Sequence, residues 1–201
     1  NLNSIYVYDT RAAGAKLPAV RVVNGRELPP SGLTVATPLP LYVKGHFNAP
    51  NITPGSTDTS ATKPASLVGD AITVLSASWS DSASSTPMND ASDTTVNAAF
   101  LAGIVPTDIY SGTKRYSGGV ENFPRLLEDW GGRTLTYNGS MVVLYPSRYA
   151  TGFWMQTGNY YQAAIRKWAF DINFLNYDRL PPATPQMRKL VRGQWRVVSA
   201  Q

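Results

Sequence analysis

Few residues in this chain are equipped for chemistry. His46 is the only histidine and cysteine is absent, which excludes thiolate nucleophiles, disulfides, Cys-ligated metals and any site built from several histidines. A Ser-His-Asp arrangement could draw on His46. No G-x-S-x-G pattern accompanies it, however, and its place beside Gly45 at a strand end marks a turn residue. Paired carboxylates, as in glycoside hydrolysis, need only two acids at a suitable separation. Asp70, Glu121, Glu128, Asp129 and Asp171 are the candidates, and no spacing singles out a pair. Asp81, Asp90 and Asp93 share a polar loop over 80–93 but lack the regular acidic spacing of a calcium-binding loop. There is no P-loop and no dinucleotide fingerprint. The sequence therefore predicts no catalytic residue, no metal ligand and no cofactor.

Aromatic residues are the stronger signal. Tyr149, Phe153, Trp154, Tyr160, Tyr161, Trp168, Phe170, Phe174 and Tyr177 crowd one tract. Such rings can cover the open end of a β structure or form a stacking platform for sugars. Trp154, Tyr160, Tyr161 and Trp168 are the candidate ligand-binding residues. The charge is lopsided as well: from Arg133 onward nine Lys or Arg face only Asp171 and Asp178, whereas the first 132 residues carry nine bases and eleven acids. Arg188, Lys189, Arg192 and Arg196 could track phosphates, but no recognition motif supports a nucleic-acid partner.

The elements that must carry these residues are short β runs. LTVATPLPLYVKGHFN at 33–48 places two β-prone runs around a Pro pair, and comparable runs recur at 66–79, 94–107 and 133–145. Further strand candidates are SIYVY at 4–8 and 19–23, with a closing strand in QWRVV at 194–198. Polar loops occupy 49–64 and 80–93. One helix is predicted at about 120–130, because Phe123, Leu126, Leu127 and Trp130 recur at spacings of three and four and Gly131-Gly132 follows.

The bulk composition agrees. Of 201 residues, 43% are hydrophobic and only 15% charged, with 16 Gly and 15 Pro, which suits strands and turns and starves helices. The length fits one domain. No segment approaches the roughly 18 apolar residues of a membrane-spanning helix. The start at Asn1, without a basic and apolar leader, suggests a processed chain or the ordered part of a longer one.

Taken as a string, GLTVATPLPLYVKGHFN, KPASLVGDAITVLSASW, TTVNAAFLAGIVPT, YSGGVENFPRLLEDW, RTLTYNGSMVVLY and DINFLNYDRLPPATP resemble the C-terminal region of large exported bacterial envelope proteins. These occur in Verrucomicrobia-like and Planctomycetes-like lineages and are pilus-assembly-like. The resemblance covers about residues 30–195. It implies export, a β-helical body, and no enzymatic residues to carry over.

The expectation is a single, mainly β domain over 1–201: a right-handed parallel β-helix or solenoid. Stacked strands fill 1–145 with one inserted α-helix, and an aromatic, basic C-terminal cap fills 146–201. The rival is an antiparallel β-sandwich, with chain reversals at Asn24-Gly25 and Asn138-Gly139. The functional expectation is a non-enzymatic extracellular structural or adhesive module, the self-assembling subunit of a bacterial surface filament. Its partners would be copies of itself or envelope and pilus components. The alternative is a carbohydrate-binding or polysaccharide-degrading protein.

Overall fold

The structure, a computed structural model, describes residues 2–11, 14, 16–82, 88–110, 112–152, 154, 160–187, 190–191 and 193–194. Twelve strands follow one another among the described residues: β1 (Ser4–Tyr6), β2 (Val20–Val23), β3 (Leu33–Ala36), β4 (Leu41–Lys44), β5 (Ala65–Gly69), β6 (Ile72–Leu75), β7 (Thr94–Ile104), β8 (Asp108–Tyr110), β9 (Thr113–Arg115), β10 (Pro124–Arg125), β11 (Thr134–Pro146) and β12 (Ile165–Phe170). They form a six-stranded sheet in the order β1-β3-β5-β7-β11-β12, a four-stranded sheet in the order β10-β6-β4-β2, and a separate β8-β9 hairpin.

Every pairing within the two larger sheets is parallel. From β1 to β7 the chain alternates between them, so each strand pairs with the strand two places earlier in sequence. β5 and β6 are separated only by Asp70 and Ala71, yet they belong to different sheets. A junction that short would make a hairpin in an antiparallel fold. Here it is a corner.

The antiparallel sandwich is therefore overturned. Asn24, just past β2, adopts a left-handed φ of 58° and turns the chain toward the other sheet rather than back along its own. Asn138-Gly139 lies in the middle of β11, opposite Asn97 and Ala98 of β7. A Cβ on Gly139 would overlap the Ala98 carbonyl, so glycine here permits close strand approach instead of reversal.

The expected α-helix is overturned as well. Among the described residues there is no α-helix: Gly119–Glu121 forms a 3-10 turn, and Pro124–Arg125 pairs in parallel with Ile72 and Thr73 as an edge strand. Phe123, Leu126 and Trp130 are indeed buried. An extended segment rounding a corner buries them as well as a helix would, and Pro124 suits a sheet edge because it has no N–H to donate. No helix among the described residues is long and apolar enough to cross a membrane.

Inward side chains line up across strands. In the larger sheet Ile5, Val35, Leu67, Phe100 and Met141 occupy one register column. In the smaller sheet Leu41 stands beside Ile72, and Val22, Val43 and Val74 are neighbours. Leu41, Val43, Leu67, Ile72, Val74 and Phe100 are fully buried and belong to one core cluster. Trp168 and Tyr161 pack against that cluster from the C-terminal tract. Of the expected closing strand at 194–198, residues 195–198 fall outside the described residues, as do Phe153, Arg188, Lys189, Arg192 and Arg196.

A polar ladder runs beside the apolar columns. Asn48 Nδ2 donates to Asn97 O (2.9 Å) and Lys63 O (2.7 Å), and Asn97 Nδ2 donates to Asn48 O (2.9 Å). Asn138 Nδ2 donates to Asn97 Oδ1 (2.8 Å) and Ser56 O (3.0 Å). All three side chains are buried, so each depends on its neighbour for hydrogen bonds that water cannot supply. Asn97→Ala is expected to strand Asn48 O and one N–H of Asn138 Nδ2 and to cost about 2–4 kcal/mol. Asn176→Ala, which removes an exposed cap on Asp178 N, should cost about 1 kcal/mol. Urea unfolding of the two variants measures the difference.

Candidate functional site

The four strands of the smaller sheet repeat one local pattern, an apolar residue on each side of a variable one: Val20-Arg21-Val22, Leu41-Tyr42-Val43, Ile72-Thr73-Val74 and Pro124-Arg125-Leu126. Alternation sends the apolar residues into the core and the central residue outward. Parallel register then sets the four central residues in one row, Arg21 beside Tyr42, Tyr42 beside Thr73, and Thr73 beside Arg125.

This row floors a groove with a cavity volume of about 1360 Å³, to which Tyr42, Thr73 and Arg125 contribute. Lys114, Arg115 and Tyr116 from β9 and its exit line it, as do Glu121 and Asn122 at the end of the 3-10 turn, and Tyr149, Trp154, Tyr160 and Tyr161. A smaller hollow adjoins it, sharing Leu17, Tyr42 and Leu127, and holds Trp79 and the ion pair between Arg21 and Asp81 at 2.6 Å.

The lining is held in place by named contacts. Trp154 N donates to Tyr116 O (3.2 Å), and Trp154 Nε1 donates to Tyr161 Oη (3.2 Å). Gly118, at φ 79°, lies against the Trp154 ring, where a Cβ would approach Cγ to 2.7 Å. Asn122 Nδ2 donates to Ser117 O (3.0 Å) and fixes the same turn. Arg125 donates from its guanidinium to Ala150 O (3.0 Å).

Asp70, in the corner between β5 and β6, organises the far side. It is buried and accepts hydrogen bonds from Ser147 Oγ (2.6 Å), Arg148 N, Tyr149 N (3.0 Å) and Ala150 N (3.2 Å). Burial pushes its carboxyl up, but these donors outweigh burial and hold it below the usual carboxylate range. The Asp70 charge also favours the charged form of Arg125, against the burial that lowers the guanidinium's pKa.

The remaining chemical candidates are occupied by structural tasks. Glu128 is fully buried and accepts from Ser76 N and Ser76 Oγ, both at 2.6 Å. Burial pushes its carboxyl up, with the Ser76 hydrogen bonds and the Lys44 charge working against that. Asp171 accepts from Thr59 Oγ1 (2.7 Å) and Asn173 N (3.0 Å), and Asp129 accepts from Gly131 N (2.8 Å). Glu121 sits 3.5 Å from Arg166. His46 Nδ1 accepts from Thr95 N at 3.1 Å. Burial first, then the Arg26 charge, lowers the imidazole's pKa, with Asp93 opposing.

The three aspartates of the 80–93 loop separate: Asp81 goes to Arg21, Asp90 pairs with the Asp129 backbone, and Asp93 accepts from Thr134 N (2.8 Å). Among the described residues no group of three His, Asp or Glu gathers to hold a metal ion.

Of the four aromatics singled out from sequence, Trp154, Tyr160 and Tyr161 meet in the groove and Trp168 does not. Trp168 packs edge-on against Tyr137 at 6.2 Å, with the Arg166 guanidinium 5.5 Å above its ring. Sequence inspection overlooked Tyr42, Tyr116 and Arg125. The repeated apolar–variable–apolar triplet could have found Tyr42 and Arg125; nothing local marks Tyr116.

Comparisons with protein-family models, curated proteins and solved structures return no match.

Asp70→Asn should cost about 3 kcal/mol near pH 7, because an amide cannot accept all four donors. The folded-state carboxyl lies below its unfolded value. Its contribution is therefore complete above the unfolded value of about 4 and is lost as pH falls through the folded one. Denaturant unfolding across pH should show the gap between native chain and variant constant from pH 7 to 5 and closing below about pH 4.

Proposed function

We propose that the chain is a right-handed parallel β-helix acting as a non-enzymatic structural module outside the cell, which stacks end to end into a surface filament. The alternation of parallel strands between two sheets supports the solenoid, and parallel crossovers are nearly always right-handed. The resemblance to exported, pilus-assembly-like envelope proteins points the same way, and the tract after β11 serves as the aromatic C-terminal cap.

One observation carries the stacking. β1 pairs only with β3, and its other edge meets no described strand. β12 pairs with Thr134–Gly139 of β11, which leaves the far edge of Ser140–Pro146 unpaired among the described residues. Both free edges occupy the same columns of the same sheet. Ser4, Ile5 and Tyr6 head the columns that end in Ser140, Met141 and Val142.

A second copy laid with its β1 beside Ser140–Val142 would continue the sheet in parallel and in register. Apolar side chains are left partly uncovered at both edges: Ile5 is 37% exposed, and Val143, in the inward column of Gly69 and Ala102, is 53% exposed. Covering them offers hydrophobic gain, and free edges are templates for strand addition. Because the two ends differ, the contact is heterologous and propagates.

The groove favours a second role, adhesion to a sugar chain. Its ring faces and polar tips are the combination that binds pyranoses.

Sedimentation velocity and electron microscopy over rising concentration should show polymers. Ile5→Lys and Val143→Lys should each abolish them, and mixing the two variants should give one-to-one pairs and nothing longer. A native chain that stays monomeric throughout, or polymers indifferent to both changes, would refute the stacking.

A further inference from the structure

We infer that the groove on the smaller sheet is built for an acidic polysaccharide, with Arg125 as the anchor for its carboxylates. The inference deepens the sugar-binding role proposed above and rests on it.

Arg125 carries the argument. It stands in the floor row beside Thr73, part-buried, and pairs with no carboxylate among the described residues. The hydrogen bond shown for it goes to a neutral carbonyl, Ala150 O. Asp70, whose charge acts on Arg125, has its oxygens committed to Ser147, Arg148, Tyr149 and Ala150. A guanidinium drawn out of water and left without a counter-ion is costly, and a ligand carboxylate offers the bidentate partner its planar fork fits.

The surrounding charge agrees. Lys114 and Arg125 line the groove against Glu121, and Glu121 is occupied by Arg166. An anion entering would meet net positive charge, and a neutral glycan would leave Arg125 unanswered.

The other residues suit pyranose rings. Tyr116 and Tyr160 expose large ring areas, Trp154 is oriented by its bond to Tyr161, and Tyr42, Thr73 and Asn122 supply hydroxyl and amide groups for sugar hydroxyls. At about 4.8 Å between strands, the floor from Tyr42 to Arg125 extends over about 10 Å, room for a short run of sugar units. A polynucleotide also stacks and carries negative charge, but it needs a file of cations along its phosphates. The floor row offers cations only at its ends, and Arg21 is already paired with Asp81.

The test is calorimetric titration of the whole chain with polygalacturonate, alginate, a neutral galactan and a single-stranded oligonucleotide, at two salt concentrations. Thermal melts check the fold of every variant. Binding of one or both uronates, weakened by salt and absent with the galactan, is the expected result. Arg125→Gln keeps a donor for Ala150 O and should lower uronate affinity about ten- to a hundred-fold, while Arg125→Lys, which keeps the charge and loses the fork, should lower it by less than Arg125→Gln does. Trp154→Ala should weaken it without restoring galactan binding. Equal binding of galactan and uronate, indifferent to Arg125→Gln, would overturn the acidic inference and leave the sugar role standing. No binding of any glycan would remove both, and tighter binding of the oligonucleotide would replace the ligand class.

Discussion

Parallel register is the constraint on which the rest of this protein depends. When each strand lies beside the one two places earlier, the same position in successive strands must accept the same environment. Val35, Leu67 and Phe100 can share a column because the interior beneath them is continuous and dry. Asn48, Asn97 and Asn138 share a polar line for the opposite reason: buried amides need partners, and the next rank supplies them. Gly139 fits the same rule, since closeness to β7 leaves no space for a side chain.

The corners are where that regularity is bought with ionisable groups. Asp70, Glu128 and Asp171 each turn an acid toward backbone N–H or hydroxyl donors at a bend where the ladder of strand hydrogen bonds is interrupted. Each of these acids thereby fastens a bend. Asp70 has the widest reach, because the backbone it gathers over 147–150 also receives Arg125 and shapes one side of the groove. Structure and candidate site are coupled at that corner.

The larger sheet ends in two edges that share its register columns. β1 and the second half of β11 are separated by more than a hundred residues in sequence, yet they present edges in matching columns. The hairpin β8-β9 and the tract after β11 break the regular pattern along one face, which is why the groove forms there.

Local alternation of apolar and polar residues, with Gly, Pro and Asn between the runs, determined that the chain is mainly β, where most strands fall, and which tract gathers aromatics. It could not decide parallel against antiparallel pairing, because alternation buries one face either way and Asn-Gly serves a corner, a hairpin or a ladder. Nor could it tell Phe123, Leu126 and Trp130 on a helix from the same residues around an extended corner, since both bury at spacings of three and four. Tertiary structure settled these points through register, a relation between residues 20 to 50 positions apart that leaves almost no local trace. The same relation placed Tyr42 and Arg125 beside Trp154 and took Trp168 elsewhere, so the groove exists only where strands distant in sequence lie side by side.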